Sequence, residues 1–272
     1  MMRTIREILG THRATFGSWF SVHCSHSAEK FGQIGFDWVI LDLQHGFATW
    51  EGVLPLLQAL ELGGTPSLVR IHRHDPAEIG LALDLGAIGI VAPLVSTPEQ
   101  ARLVAEATRY PPRGTRSWGP NRHAPGSRGL KEDPFCIVMI ETVEGLRHLD
   151  AIAATPGVDC LLLGGVDLGL SMGIGPGSYP EGNPRKVDEA LDQMIAACRR
   201  NGKIAGNIAL DHDGVEDMLS RGVRFLPIGV AHLFMLDAAK QMLGSVEPLR
   251  RNAETSLKDV NREGAQRPLR DV

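Results

Sequence analysis

Several apolar runs end on ionisable side chains, which a buried strand has no use for unless chemistry is done there. The run "WVIL" (38–41) stops at Asp42, and His45 follows three residues on. "SLVR" (67–70) stops at Arg70, "VMIE" (138–141) stops at Glu141, and "LLLGGVD" (161–167) passes two glycines to reach Asp167. An imidazole with a carboxylate near it is a general base poised around neutral pH. Two carboxylates facing each other repel, and one pKa rises unless a cation lies between them. Magnesium-like ions are commonly held in this way, by one or two carboxylates with the remaining positions left to water and substrate. The planar fork of Arg70 suits an anionic oxygen. Each residue also has a plainer use. Glu141 could cap the helix opening at "TVEG". Asp42 could bind loop amides while His45 caps a turn, and Arg70 could simply pair with one of the acids.

These residues need elements to bring them together. Eight short apolar runs recur at 15–20, 36–41, 67–71, 89–95, 136–141, 159–164, 203–208 and 224–229. Helical patterns separate many of them, at 50–64, 75–87, 97–110, 142–157, 185–202 and 211–222, several opening on Asp, Thr or Pro and closing on Gly. Runs without polar alternation are strands buried on both faces, so the order predicts parallel βα units. A (β/α)8 TIM barrel takes about 250 residues, close to the 272 of this chain. An open doubly wound sheet would carry a glycine-rich phosphate turn after its first strand, and "GSWFSVHCSH" (17–26) is not one. The expectation is a single barrel over residues 1–246 and a polar tail over 247–272. Barrel ligands gather at the C-terminal strand ends, which brings Asp42, His45, Arg70, Glu141 and Asp167 to one rim. Glu141 and Asp167 end consecutive strands, which lie about 4.8 Å apart. Oxygen donors of this kind favour magnesium, manganese or cobalt over a structural zinc. No lysine stands at these strand ends, which disfavours Schiff-base chemistry.

Composition narrows the class. The chain is 43% hydrophobic and 22% charged with a net charge of −4, so no basic field points to nucleic acid or to an anionic membrane. The N-terminus has no secretory apolar segment and no run reaches membrane-spanning length, so the cytoplasm is expected. Cys24, Cys136, Cys160 and Cys198 are widely spaced and read as free thiols rather than disulfides or a zinc site. The long polar segment 111–134, with Arg113, Arg116, Arg122 and His123, is of a size that usually carries function. It is the candidate grip for a second substrate, with oligomer packing as its other reading.

The stretches "FDWVILDLQHG", "VRIHRHDP", "YPPRGTRSWGP" and "VMIETVEGLRHLDAIAATPGVDCLLLGGVDLGLSMG" together resemble the HpcH/HpaI aldolases, the metal-dependent class II pyruvate aldolases. The resemblance runs from about Gly17 to about Leu243. It implies a lyase that reversibly cleaves a 4-hydroxy-2-oxo acid to pyruvate and an aldehyde. It implies that Glu141 and Asp167 hold the divalent metal and that Arg70 contacts the keto oxygen. His45, supported by Asp42, would move the proton. Amides near Gly165 and Val166, with Asp167, would bind the pyruvate carboxylate, and Trp19 would line the pocket. It also implies a homo-oligomer, trimer or hexamer, with the eighth helix swapped between protomers. The chain departs from the family pattern at Gln44, Met139, Val166 and Gly169, which predicts an altered pocket. Two rival readings are a CoA-thioester lyase of the citrate lyase β-subunit type and a non-catalytic keto-acid-binding barrel.

Overall fold

The computed structural model describes residues 5–11, 14–122, 133–175 and 185–265. Its first unit, through Ala231, is built on eight strands: β1 Thr15–Phe20, β2 Trp38–Asp42, β3 Ser67–Arg70, β4 Gly89–Ala92, β5 Phe135–Ile140, β6 Cys160–Leu163, β7 Ile204–Gly206 and β8 Phe225–Val230. They form a closed barrel in chain order, and β8 pairs in parallel with β1. The eight apolar runs are these eight strands. The fourth stops short of its run because Pro93 cannot extend the ladder and Leu94 adopts a φ of +54°.

The helices are α1 Ile5–Thr11, α2 Ser25–Gly32, α3 Trp50–Gly63, α4 Pro76–Leu85, α5 Pro98–Ala107, α6 Val143–Arg147, α7 Leu149–Ala154, α8 Gly165–Ser171, α9 Arg185–Arg200, α10 His212–Arg221 and α11 Ala231–Ala265. Their starts follow the capping chemistry in the sequence. The Asp75, Thr97, Thr142 and Asp211 side chains each accept a backbone N–H of the first turn. The pattern at 142–157 divides at His148 into α6 and α7. The short helices α1, α2 and α8 are additions to the sequence reading.

Two apolar layers hold the barrel. One fills the space between strands and helices. The other fills the interior, where the Trp38 and Phe225 rings stack 3.8 Å apart and Ile5 and Leu9 of α1 join the cluster. Gly17 exists for that interior, since a Cβ there would lie 2.2 Å from the Trp38 indole. At the N-terminal strand ends Asp133 and Asp159 take Arg6, Arg109 and Arg113, so the closed end is tied by charge.

The second unit is helix α11 from His232 on. The helix continues through Glu247 and Pro248 to Ala265, so the described part of the polar tail expected over 247–272 is helical. Met235, Met242 and Leu249 recur at seven-residue spacing along it, on one stripe of the helix. No helix among the described residues is long and apolar enough to cross a membrane. All four cysteines are free, with Cys136, Cys160 and Cys198 buried.

Candidate active site

Side chains alternate across a strand, and the barrel interior shows where that alternation ends. Trp38 and Ile40 of β2, Leu68 of β3, Ile137 and Met139 of β5 and Leu162 of β6 belong to the interior cluster. Two residues beyond the last of these on each strand come Asp42, Arg70, Glu141 and Gly164. The apolar interior therefore gives way to a polar layer at the C-terminal rim, as the sequence reading expects. Asp42, Arg70 and Glu141 are 5%, 9% and 2% exposed.

Asp42 and Arg70 are register partners on neighbouring strands. Arg70 Nε donates to Asp42 Oδ1 at 2.8 Å and an Nη2 N–H donates to Oδ2 at 2.6 Å. This is the bidentate fork that makes a buried guanidinium–carboxylate pair geometrically specific. The guanidinium lies 4.4 Å from the Trp19 ring centroid, so β1 supplies a π-face beneath the cation. Among the described residues nothing accepts from Arg70 Nη1, which leaves those N–H groups for an incoming oxygen.

Asp42 has a second duty. Its Oδ1 also accepts the backbone N–H groups of Gln44 and His45, at 3.1 and 3.2 Å. The expectation that Asp42 orients the His45 imidazole therefore changes. The carboxylate is occupied by Arg70 and by two backbone amides, so it fixes the turn that carries His45 rather than the ring. The plainer readings of Asp42 and Arg70 describe these contacts well. His45 itself is exposed at the rim.

Glu141 sits just beyond β5, and its Oε2 accepts the Leu94 backbone N–H at 2.6 Å. Sequence reasoning missed this contact. A backbone donor carries no side-chain signature, and its only clue is a leucine held in the left-handed region, which costs about 1–2 kcal/mol. Gly164 faces the other carboxylate oxygen, since a Cβ there would lie 2.2 Å from Glu141 Oε1. A glycine is therefore required for α8 to start where it does. Asp167 follows in the first turn of α8, half-buried. Burial raises the Glu141 pKa to about 7. The Leu94 N–H works against that rise, the Asp167 charge adds to it, and Arg70 opposes it.

Two acids so placed could hold a cation. Glu141 is buried, and among the described residues neither it nor Asp167 is paired with a basic side chain. The one guanidinium close enough to act on Glu141 is engaged by Asp42. Among the described residues no cluster of three metal-ligating side chains occurs, so a metal held here would have two carboxylates and further positions left open.

The departures from the family pattern have local causes. Met139 packs in the barrel interior beneath the polar layer, 4% exposed. Gly169 lies under the segment after α8, where a Cβ would approach the Gly175 carbonyl oxygen to 2.6 Å and where Gly169 O accepts the Ile174 N–H. Gly165 and Val166 open α8 beside Asp167, with Val166 38% exposed.

The arginines expected to grip a second substrate stand elsewhere. Arg116 is buried with its guanidinium over the Tyr110 ring and donates to Asp84 near the C-terminal end of α4. Arg122 donates to the Leu85 carbonyl and pairs with Glu61, near the ends of α4 and α3. Helices of a βα unit run back toward the strand N-termini, so both lie at the opposite end from the polar layer. The segment after α5 is stitched to that end by these pairs. His123 lies outside the described residues.

The family profile for HpcH/HpaI aldolase/citrate lyase matches residues 15–238. The chain is 34% identical over 241 residues to a 4-hydroxy-2-oxo-heptane-1,7-dioate aldolase of Klebsiella pneumoniae subsp. pneumoniae, covering 85% of this chain and 88% of that one. It is 30% identical over 244 residues to a 2-dehydro-3,6-dideoxy-6-sulfogluconate aldolase of Pseudomonas putida, covering 87% and 94%. Among solved structures it is similar to an HpcH/HpaI aldolase from Desulfitobacterium hafniense DCB-2, with a TM-score of 0.80 and 25% identity over 90% of this chain and 97% of that one.

Proposed function

The chain belongs to the HpcH/HpaI aldolase/citrate lyase family and is an aldolase, and from that premise we propose its reaction. It reversibly cleaves a 4-hydroxy-2-oxo acid to pyruvate, or a related 2-oxo acid, and an aldehyde, in dependence on magnesium, manganese or cobalt. One observation supports this most: Glu141, buried and without a basic partner, stands close to Asp167 at the barrel rim where Arg70 also ends its strand. Glu141 and Asp167 would hold the metal. When bound, a divalent ion supplies Lewis acidity to the keto oxygen and removes the repulsion between the two acids.

The remaining roles fall to the chain's own groups. Arg70, fixed by Asp42 and Trp19, donates from Nη1 to the oxygen on which negative charge develops as the carbon–carbon bond breaks. Preorganised donors of this kind usually contribute more to such catalysis than any other single effect. His45 takes the proton of the C4 hydroxyl in cleavage and returns one in the aldol direction. Asp42 acts as a positioning residue for both of them. The Leu94 N–H holds one oxygen of Glu141, and amides at Gly165 and Val166 receive the substrate carboxylate. A CoA-thioester substrate would need a basic groove, whereas Arg113, Arg116 and Arg122 are engaged with Asp133, Asp84 and Glu61. A homo-oligomer, trimer or hexamer, fits the apolar stripe of α11, and a cytoplasmic setting fits four free cysteines.

The test is a lyase screen of 4-hydroxy-2-oxo acids with several divalent ions, coupled to pyruvate detection. Chelated enzyme is expected to be inactive and to recover with added metal. Glu141→Ala and Asp167→Ala lose pyruvate release, and Arg70→Ala loses turnover while still binding metal. Wild-type activity in either carboxylate variant contradicts the assignment. His45→Ala slows proton exchange at the pyruvate methyl group, and unchanged exchange would mean that His45 does not move the proton.

A further inference from the structure

The loops around the polar layer carry exposed apolar side chains. Leu94 is 43% exposed, Val166 38%, Leu170 51% and Phe47 80%. Contacts of the site itself fix where they stand. Leu94 is pinned by its own N–H on Glu141 and by the neighbouring Val95 N–H on the Met139 carbonyl. A leucine rather than a glycine takes this left-handed φ beside the buried carboxylate, against the usual preference for glycine there. Val166 precedes Asp167, and Leu170 stands one helical turn further along α8. Phe47 comes two residues after His45, and its N–H meets the Ser21 carbonyl at the end of β1.

Among the described residues several basic groups near this rim are engaged. Arg70 is forked onto Asp42. His72 and Arg73 both face Glu78, and the His74 Nε2 contacts the Pro93 carbonyl. Arg116 and Arg122 lie at the other end of the barrel. Apolar side chains on both flanks of the two acids, with these cations paired, suit a second substrate without a terminal charge.

We propose that the aldehyde bound by this site carries an apolar, aliphatic or aromatic, group, and that Leu94 and Val166 with Phe47 determine that choice. The inference rests on the aldolase reading and names its second substrate class. In the synthetic direction C3 of pyruvate loses a proton and forms a bond to the aldehyde carbonyl carbon. The aldehyde oxygen gains a proton to become the C4 hydroxyl. The aldehyde's remaining chain then projects toward the collar. One methylene in an apolar pocket is worth about 10–200-fold in kcat/KM, so a whole side chain should leave a clear signature.

The experiment uses full-length protein with pyruvate and added metal. It compares kcat/KM for 3-methylbutanal, succinic semialdehyde and glyceraldehyde, and measures methyl-proton exchange of pyruvate alone. The expected result is at least a tenfold preference for 3-methylbutanal over succinic semialdehyde. That ratio should fall about tenfold in Leu94→Ala, in Val166→Ser and in Phe47→Ala. A ratio divides out any loss common to both aldehydes, and three separate variants guard against one that misfolds. A wild-type preference for succinic semialdehyde, or ratios unchanged in all three variants, overturns the inference and leaves the aldolase reading standing. Absent proton exchange overturns the aldolase reading and takes the inference with it.

Discussion

Glu141 is the residue on which the proposed chemistry rests most heavily. Its carboxyl is buried with a single backbone N–H on one oxygen, and its pKa is raised to about 7. The ordinary carboxylate value is 4.5. Between those two values the metal-free fold binds a proton that the unfolded chain releases. The stabilisation is therefore complete below about pH 4.5 and is lost as pH rises through 7. The size is on the order of 3 kcal/mol. Denaturant titrations of chelated protein between pH 4.5 and 7.5 should show wild type losing stability relative to Glu141→Gln across that window. Parallel curves for the two proteins would mean that Glu141 is ionised in the fold. Arg70 gives a second prediction at this scale. Lysine cannot reproduce the fork onto Asp42, so Arg70→Lys should retain metal binding and still lose at least 100-fold in kcat/KM. A loss below tenfold would show that the planar geometry is not used.

At the scale of elements, glycines set how closely neighbours approach the site. Gly164→Ala places a methyl 2.2 Å from Glu141 Oε1. The carboxylate or the start of α8 must shift, and metal affinity measured by calorimetry is expected to drop at least tenfold. Gly169→Ser places its Cβ 2.6 Å from the Gly175 carbonyl oxygen. It should cost about 1–3 kcal/mol in thermal denaturation, the usual cost of overpacking. A neutral result would mean that the segment after α8 yields freely. These contacts were not legible in the sequence. The eight strands were, because strands buried on both faces leave uninterrupted apolar runs and their closing residues are the odd polar ones. The Asp42, Arg70, Glu141 and Asp167 positions came from that rule. The helix α8 was hidden because "GGVDLG" (164–169) reads as a turn until the Leu168 N–H finds the Gly164 carbonyl. The Leu94 N–H was hidden because backbone donors look alike in every residue.

For the whole molecule, the barrel separates chemistry from anchoring. The C-terminal strand ends hold the acids and Arg70, and the N-terminal ends hold the arginine–aspartate ties. A long loop returning between two strands has no sequence signal for which end its arginines will reach. That is why Arg116 and Arg122 could be read either as a substrate grip or as packing, while the structure ties them to α4 and α3. Arg116 is buried, with Tyr110 beneath it, while its partner Asp84 reaches solvent, so losing the pair costs about 1.5–3 kcal/mol, the range for a hydrogen bond to a charged group. Arg116→Ala is therefore expected to lower the Tm by about 3–12 °C, at 2–4 °C per kcal/mol for a protein of this size. An unchanged Tm would show the pair contributes nothing. The continuation of α11 past residue 246 was not legible for a similar reason, since its charged sequence with Pro248 offers no apolar run to mark it.

A cation shared by Glu141 and Asp167 is what the proposed reaction depends on. Anomalous diffraction from a crystal soaked with manganese and pyruvate tests it most directly. The expected result is one strong peak bonded to both carboxylates at the C-terminal rim, with pyruvate beside it and within reach of Arg70. A peak seated elsewhere, or no peak at that rim under conditions where the enzyme turns over, would contradict it.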